Sequence, residues 1–175
     1  MRIIIDGYNF IGRQKGLRGD LQEKRRLLIE ELAVYRRIKG FSVTVVFDGS
    51  GRGGEERIGG VEVLFSGYGE SADEVIGQLA EEFREGCTVV SSDRAVQEAV
   101  RRSGGVAIYA GEFEAKLHAA LREETVSSPK GEKEEPEQIN RMAEPLGKRG
   151  GDQKKGNPRK LPKSERRRGG RLKRL

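Results

Sequence analysis

Residues 2–9 read RIIIDGYN, and the fold turns on how three isoleucines run into Asp-Gly-Tyr-Asn. Consecutive β-branched residues suit a strand buried on both faces, as in the middle of a parallel sheet. Asp6 stands where the strand RIIID (2–6) leaves the core, and Gly7 allows a sharp change of direction there. A carboxylate at the end of a buried strand is costly unless something pairs with it. The rest of the chain is therefore read for that partner.

Working outward, strand-like runs recur at SVTVVFD (42–48), VEVLF (61–65), CTVVS (87–91) and VAIY (106–109). Helical patterns lie between most of them. LQEKRRLLIEELAVYRRI (21–38) gathers Leu21, Leu28, Leu32 and Tyr35 on one face, and ADEVIGQLAEEFRE (72–85) does the same with Val75, Ile76, Leu79 and Phe83. RAVQEAVRRS (94–103) and EFEAKLHAALREE (112–124) complete the set. Five strands alternating with amphipathic helices indicate an α/β fold around a mostly parallel sheet. The exception is GSGRGGEERIGG (49–60), which joins two strands without a helix. It contains Gly-x-Gly-x-x-Gly, but a dinucleotide site needs a helix whose N-terminus meets the pyrophosphate, so the segment reads as a flexible loop.

In an open parallel sheet the functional crevice lies beyond the carboxyl ends of the strands. Asp6 ends the first strand, Asp48 the second, and Asp93 follows CTVVS within SSDRAV. Asp73 and Glu74 sit in the first turn of the helix after VEVLF, and Asn9 lies on the loop just beyond Asp6. Each acid also has a local explanation. Ser-Ala-Asp-Glu (71–74) fits a capping box, Asp73 favours a helix dipole, Asp93 or Ser92 fits an N-cap, and Asp48-Gly49 is good turn chemistry. Their convergence is harder to explain locally. Two carboxylates ~5 Å apart at an effective dielectric near 20 repel by ~3 kcal/mol. A hard cation, Mg²⁺ or Mn²⁺, relieves that repulsion through oxygen ligands, and it can activate water against a phosphodiester. Zinc fits poorly with one His and one Cys far apart.

Charge divides the chain. Residues 1–124 carry 18 Lys and Arg against 21 Asp and Glu, a net of −3, whereas residues 125–175 carry 16 against 7, a net of +9. The expected organisation is a folded domain over 1–124 and a strongly basic tail over 125–175, which lacks the apolar surface to fold alone and reads as disordered. No stretch approaches the ~18–20 continuous apolar residues of a membrane helix, and the opening lacks the features of a signal peptide. With Cys87 as the lone cysteine, the cytoplasm is the expected location.

The segments IIIDGYN (3–9), VVFDG (45–49), VEVLFSGYGESADEVIGQLA (61–80) and VVSSDRAVQ (89–97) resemble, in order, the YacP-like branch of the NYN-domain ribonucleases, within the wider PIN-like fold. The resemblance covers roughly residues 1–122. It implies a three-layer sandwich and an endoribonuclease that uses Mg²⁺ or Mn²⁺. Asp6, Asp73 and Asp93 match the family's acidic positions, Asn9 its polar position, and Glu74 and Asp48 two further acids that capping and turn chemistry also explain. Nothing about residues 125–175 is inherited.

An acidic site repels RNA, so binding charge must come from elsewhere. Arg13, Lys15 and Arg18 in the first loop, Arg52 and Arg57 in the Gly-rich loop, Arg94 and the tail can supply it. RNA is the expected substrate, as mRNA or other exposed RNA, with the ribosome as a further candidate partner. The alternative is a non-catalytic RNA- or ribosome-binding protein that works through the tail, which clustered carboxylates would not help. A phosphatase built on VVFDG would want an acid where Ser50 stands. His118 and Cys87 read as structural, and Tyr8 either stacks on a base or braces the loop.

Overall fold

Ile3 and Ile5 belong to one hydrophobic core and Ile4 to another, on opposite faces of a single sheet. The computed structural model describes residues 1–49, 51–127 and 162–175. In chain order the elements are β1 (Arg2–Asp6), α1 (Gly7–Lys15), α2 (Leu21–Lys39), β2 (Ser42–Phe47), β3 (Gly54–Ile58), β4 (Val61–Phe65), α3 (Ala72–Phe83), β5 (Cys87–Val90), α4 (Arg94–Arg102), β6 (Val106–Ile108), α5 (Ala110–Ser127) and α6 (Lys163–Arg174).

The sheet order is β3-β4-β2-β1-β5-β6. β1 lies between β2 and β5 and is parallel to both, and β4 and β6 extend the parallel set outward. The five expected strands are thus all present and all point the same way. Phe10 and Ile11 of α1, Leu28, Leu32 and Tyr35 of α2, and Phe113 and Leu117 of α5 cover one face of the sheet. Ala72, Ile76 and Ala80 of α3 with Val96 and Val100 of α4 cover the other. The result is the expected α/β/α sandwich, in which a run of three apolar residues is buried on both faces. Among the described residues no helix is long and apolar enough to cross a membrane.

Three segments differ from the sequence reading. The expected flexible loop 49–60 contains a sixth strand, β3, antiparallel to β4. Every residue of β3 is exposed, so Gly-Glu-Glu-Arg-Ile shows no alternation, and its charges suit an unpaired edge. Gly59 and Gly60 turn the hairpin with φ of 58° and 81°, the two positive values of a type I′ turn. The expected first loop is mostly helix α1. Its two glycines and asparagine are weak helix formers, but Phe10 and Ile11 are buried and Asp6 caps its start. Gly7 is required by packing rather than by the turn, since a Cβ there would stand 2.2 Å from the Phe47 ring.

The third difference is at the chain end. α5 runs to Ser127, past the expected boundary at 124, and residues 128–161 lie outside the described residues. Residues 163–174, expected to be disordered, form α6 against the edge strand β6. Leu175 enters the core at 3% exposure, and its carbonyl accepts a hydrogen bond from the Tyr35 hydroxyl at 3.1 Å. Arg167 pairs with Glu85 and Arg168 with Glu112, while the Arg168 guanidinium lies 5.3 Å from the Tyr109 ring centre. Docking offsets the low helix propensity of Gly169 and Gly170, about 1 kcal/mol each relative to Ala.

Candidate active site

Because β1, β2, β4 and β5 are parallel, their carboxyl ends define one rim, and the acids arrive there from four segments. Asp6 is the last residue of β1, Asp48 follows β2, Asp73 lies in the first turn of α3 after β4, and Asp93 precedes α4 after β5. Three helices begin at this rim with an acid on their free N–H groups. Asp6 accepts from Asn9 N at 3.2 Å in α1. Asp93 Oδ1 accepts from Ala95 N at 2.7 Å and Val96 N at 3.2 Å in α4. Asp48 Oδ1 accepts from Ala72 N at 2.7 Å, capping α3 from a different strand. Capping, expected for Asp93, thus extends to Asp6 and Asp48 as well. It does not compete with ligation for Asp48 and Asp93, because each commits one carboxylate oxygen and keeps another.

A serine-centred network fixes the positions of these groups. The Ser91 hydroxyl donates to Asp6 Oδ2 at 2.9 Å and accepts from Asp93 N at 3.1 Å, so it ties two of the acidic segments together. Asn9 Oδ1 accepts from Ser92 N at 2.9 Å, and buried Gln97 donates through Nε2 to the Ser91 carbonyl at 2.7 Å. The Ser92 hydroxyl, beside Asp93, is buried with no hydrogen-bond partner among the described residues. That leaves one more oxygen unspent.

The electrostatics are adverse to charge. Asp6 is only 7% exposed. Burial pushes its carboxyl up to about 6; the Asn9 N–H and the Ser91 hydroxyl oppose this, and the charges of Asp73 and Asp48 add to it. Asp73 is raised as well, first by desolvation and then by Asp93, Asp48 and Glu74. Among the described residues none of Asp6, Asp48, Asp73 and Asp93 forms a salt bridge.

The other expected site residues divide. Glu74 closes the capping box, accepting from Ser71 N at 2.7 Å, and those bonds hold its carboxyl below the usual range. Arg94 is exposed at the start of α4 beside Asp93, and Arg52 lines a groove with Asp48. Arg57 is not brought to the rim. It pairs with Glu62 at 3.8 Å near the start of β4, at the opposite end of the sheet. Arg13 and Arg18 are exposed, with Arg13 and the Lys15 backbone on α1 rather than in a loop. His118 faces Gln14 at 3.5 Å, and Cys87 is buried at the start of β5, both away from the acids.

Sequence reasoning missed Ser91, Gln97 and Arg25. The serine pair after a strand was a usable signal for Ser91. Arg25 had none, being one cation among Lys24, Arg25 and Arg26. Its half-buried guanidinium donates to the Tyr8 hydroxyl at 3.1 Å. With its ring edge against Phe47, Tyr8 acts as a brace.

The donor set is all oxygen, which suits Mg²⁺ or Mn²⁺. Among the described residues no three acids form a ready-made cage. Mg²⁺ needs none, since it commonly takes one or two carboxylates with water and substrate phosphate oxygens completing its shell.

An acidic rim at the carboxyl edge of a parallel sheet, inside an α/β/α sandwich, is the arrangement of a nuclease-like NYN domain. The chain belongs to the YacP-like NYN domain family, whose model matches residues 3–153. It is 31% identical to the uncharacterized protein YacP of Bacillus subtilis, with 74% of this chain and 86% of the relative covered. Two crystal structures of Rae1 (YacP) from Bacillus subtilis share the fold. One, of a single-residue mutant, has a TM-score of 0.62 at 31% identity, covering 70% of this chain and 77% of that one. The other has a TM-score of 0.61 at 29% identity, covering 72% and 78%.

Proposed function

We propose that the chain is an endoribonuclease that hydrolyses phosphodiester bonds in mRNA or other exposed RNA with Mg²⁺ or Mn²⁺. The observation that carries this reading is the gathering of Asp6, Asp48, Asp73 and Asp93 on one rim without a cationic partner among the described residues. A divalent ion held there would neutralise phosphate charge and make water a better nucleophile. Asp6 and Asp73, both raised by their surroundings, are the groups whose ionised forms gain most from a cation. Ser91 keeps Asp6 and the Asp93 backbone in register. Asn9 uses its oxygen on Ser92, so its side-chain amide can donate to a phosphate oxygen. The starts of α1, α3 and α4 add positive dipole ends where a phosphate would approach. Arg52 and Arg94 supply local binding charge, and the exposed Lys163, Arg166, Lys173 and Arg174 of α6 offer a second basic surface.

The test is incubation of the protein with end-labelled RNA, with and without Mn²⁺ and with chelator. Internal cleavage is expected only with the ion. Asp73→Asn removes a carboxylate with no hydrogen bond among the described residues, and should slow cleavage by about 100-fold or more, the scale of a lost electrostatic stabiliser. Metal-independent cleavage, or an active Asp73→Asn protein, would overturn the assignment.

A further inference from the structure

Beside the acids, the Gly-rich segment, the end of β4 and the starts of α1 and α2 enclose a groove of about 620 Å³. Tyr8, Arg25, Asp48, Arg52, Glu56 and Phe65 line it, with glycine backbone forming part of one wall. Its size falls within the ~300–1,000 Å³ usual for small-ligand sites. Two of these glycines, Gly49 and Gly53, are closely packed from behind. A Cβ on Gly49 would stand 2.4 Å from the Ser66 carbonyl oxygen, and one on Gly53, whose φ is 78°, would stand 3.1 Å from that of Phe65. This packing keeps those two positions free of side chains, so a ligand can lie against backbone there.

Arg25 is the unusual member. It is half-buried, held by the Tyr8 hydroxyl at 3.1 Å, and its guanidinium carbon lies 5.6 Å from the Phe65 ring centre and 6.0 Å from that of Phe47. Among the described residues it has no carboxylate partner. Its neighbour Arg26, by contrast, pairs with both Glu23 and Glu30. A planar guanidinium oriented by aromatic rings and a phenol, with no counterion among the described residues, is prepared for bidentate binding to two oxygens of one anion, such as the non-bridging oxygens of a phosphodiester. Asp48 belongs both to this groove and to the acidic rim. An anion on Arg25 and a bond at the acids could thus be parts of one chain.

We propose that this groove seats the nucleotide next to the scissile phosphodiester of a single-stranded RNA, with Arg25 binding the flanking phosphate and Tyr8 positioning Arg25. The inference rests on the nuclease reading for the identity of the ligand. A recessed groove receives an unstacked nucleotide more readily than a duplex, which favours single strands. The contact reads the backbone and not the base, so it contributes affinity and register without sequence preference.

The experiment measures binding of a fluorescein-labelled ten-nucleotide oligouridylate by anisotropy, in chelator, across a salt series, for wild type, Arg25→Met, Arg25→Lys and Tyr8→Phe. Methionine keeps apolar bulk against Phe47 and Phe65 but carries no charge. Arg25→Met is expected to bind about 10-fold more weakly, as for loss of one charge-assisted bond. Its log–log salt slope should be shallower by about 0.7, the value for one phosphate on a single strand. Arg25→Lys should keep the slope and recover part of the affinity, and Tyr8→Phe should lose about 3-fold, a fraction of the loss on removing Arg25 itself. In Mn²⁺ the Arg25 variants should raise KM with kcat within about twofold, as for uniform binding. Wild-type affinity in Arg25→Met, or weaker binding with an unchanged slope, would overturn the proposal. Because binding is read in chelator, with the RNA recovered and checked for integrity, a wild type that fails to cleave in Mn²⁺ refutes the nuclease reading separately.

Discussion

Asp6→Asn should change stability in a way that depends on pH, and the dependence isolates the cost of the Asp6 charge. The folded protein holds the Asp6 proton up to about pH 6, whereas the unfolded chain releases it near 3.8. Between those values the native state binds more protons than the unfolded state. Wild-type stability therefore falls as pH rises through that window, and the whole cost is present above pH 6. The displacement corresponds to about 3 kcal/mol. Asparagine carries no charge, so it escapes this cost at every pH. It keeps an oxygen for Asn9 N–H but cannot give the Ser91 hydroxyl an equivalent second acceptor, a loss of about 1 kcal/mol that does not vary with pH. The variant should thus be slightly less stable than wild type at pH 4 and about 2 kcal/mol more stable at pH 8.

Urea denaturation in chelator at pH 4, 6 and 8 measures this directly, since other titrating groups largely cancel in the variant-minus-wild-type difference. The expected change in that difference between pH 4 and 8 is about 2.5 kcal/mol, because a small part of the cost is already present at pH 4. A difference constant to within about 1 kcal/mol would refute the reasoning, because Asp6 would then ionise as easily folded as unfolded. A variant that became relatively less stable at high pH would also refute it, by showing that the charge is favourably paired.

Mn²⁺ at a hundred times its dissociation constant should stabilise wild type by about 2.7 kcal/mol, seen as a higher Tm, and leave an Asp6→Asn, Asp93→Asn double variant unshifted; equal shifts would place the ion elsewhere. Gly7→Ala should cost about 1–3 kcal/mol by overpacking against Phe47, read by urea denaturation, and a neutral result would mean that the ring yields freely. Leu175→Ala removes the buried anchor of the last helix, so hydrogen exchange should accelerate through 163–174 while β1, β2 and β5 keep their protection. Uniform acceleration across the sheet would instead make α6 part of the global folding unit.

The central sheet was legible because its signals are dense. Three isoleucines in a row, Val43 to Phe47 and Cys87 to Val90 admit little besides strands buried on both faces, and the parallel order then places Asp6, Asp48 and Asp93 at one edge. What was illegible depends on partners distant in sequence. α1 is held by Phe10 against Phe113, about a hundred residues on, which no local propensity reports. β3 exists only because β4 offers it an edge. α6 looks disordered by composition, and folds because Arg167, Arg168 and Leu175 find Glu85, Glu112 and the Tyr35 hydroxyl. Within the site, the acids could be read at the strand ends, but Arg25 could not. Its proposed role depends on having no carboxylate partner among the described residues and on the rings of Phe47 and Phe65, which only the fold assembles.

The acids' local and functional explanations can also be weighed against each other by magnitude. If Asp6, Asp48 and Asp93 were present only as caps, each would contribute about 1 kcal/mol, and asparagine or serine would serve as well without charge. Placing charged caps on one rim instead incurs repulsion of ~3 kcal/mol for a pair ~5 Å apart at an effective dielectric near 20. A helix dipole returns about 0.3–1 kcal/mol per charge, up to ~2 in partly buried settings, so three helix starts soften this repulsion without removing it. Burial is the first cause of the raised Asp6 and Asp73 carboxyls, and the neighbouring acids add to it. Capping explains why an oxygen is needed at each position, but it does not explain why each should be a carboxylate. The divalent cation of the proposed function would supply that reason, because it would favour the ionised form of all four together, and Asp48 and Asp93 each keep an uncommitted oxygen for it.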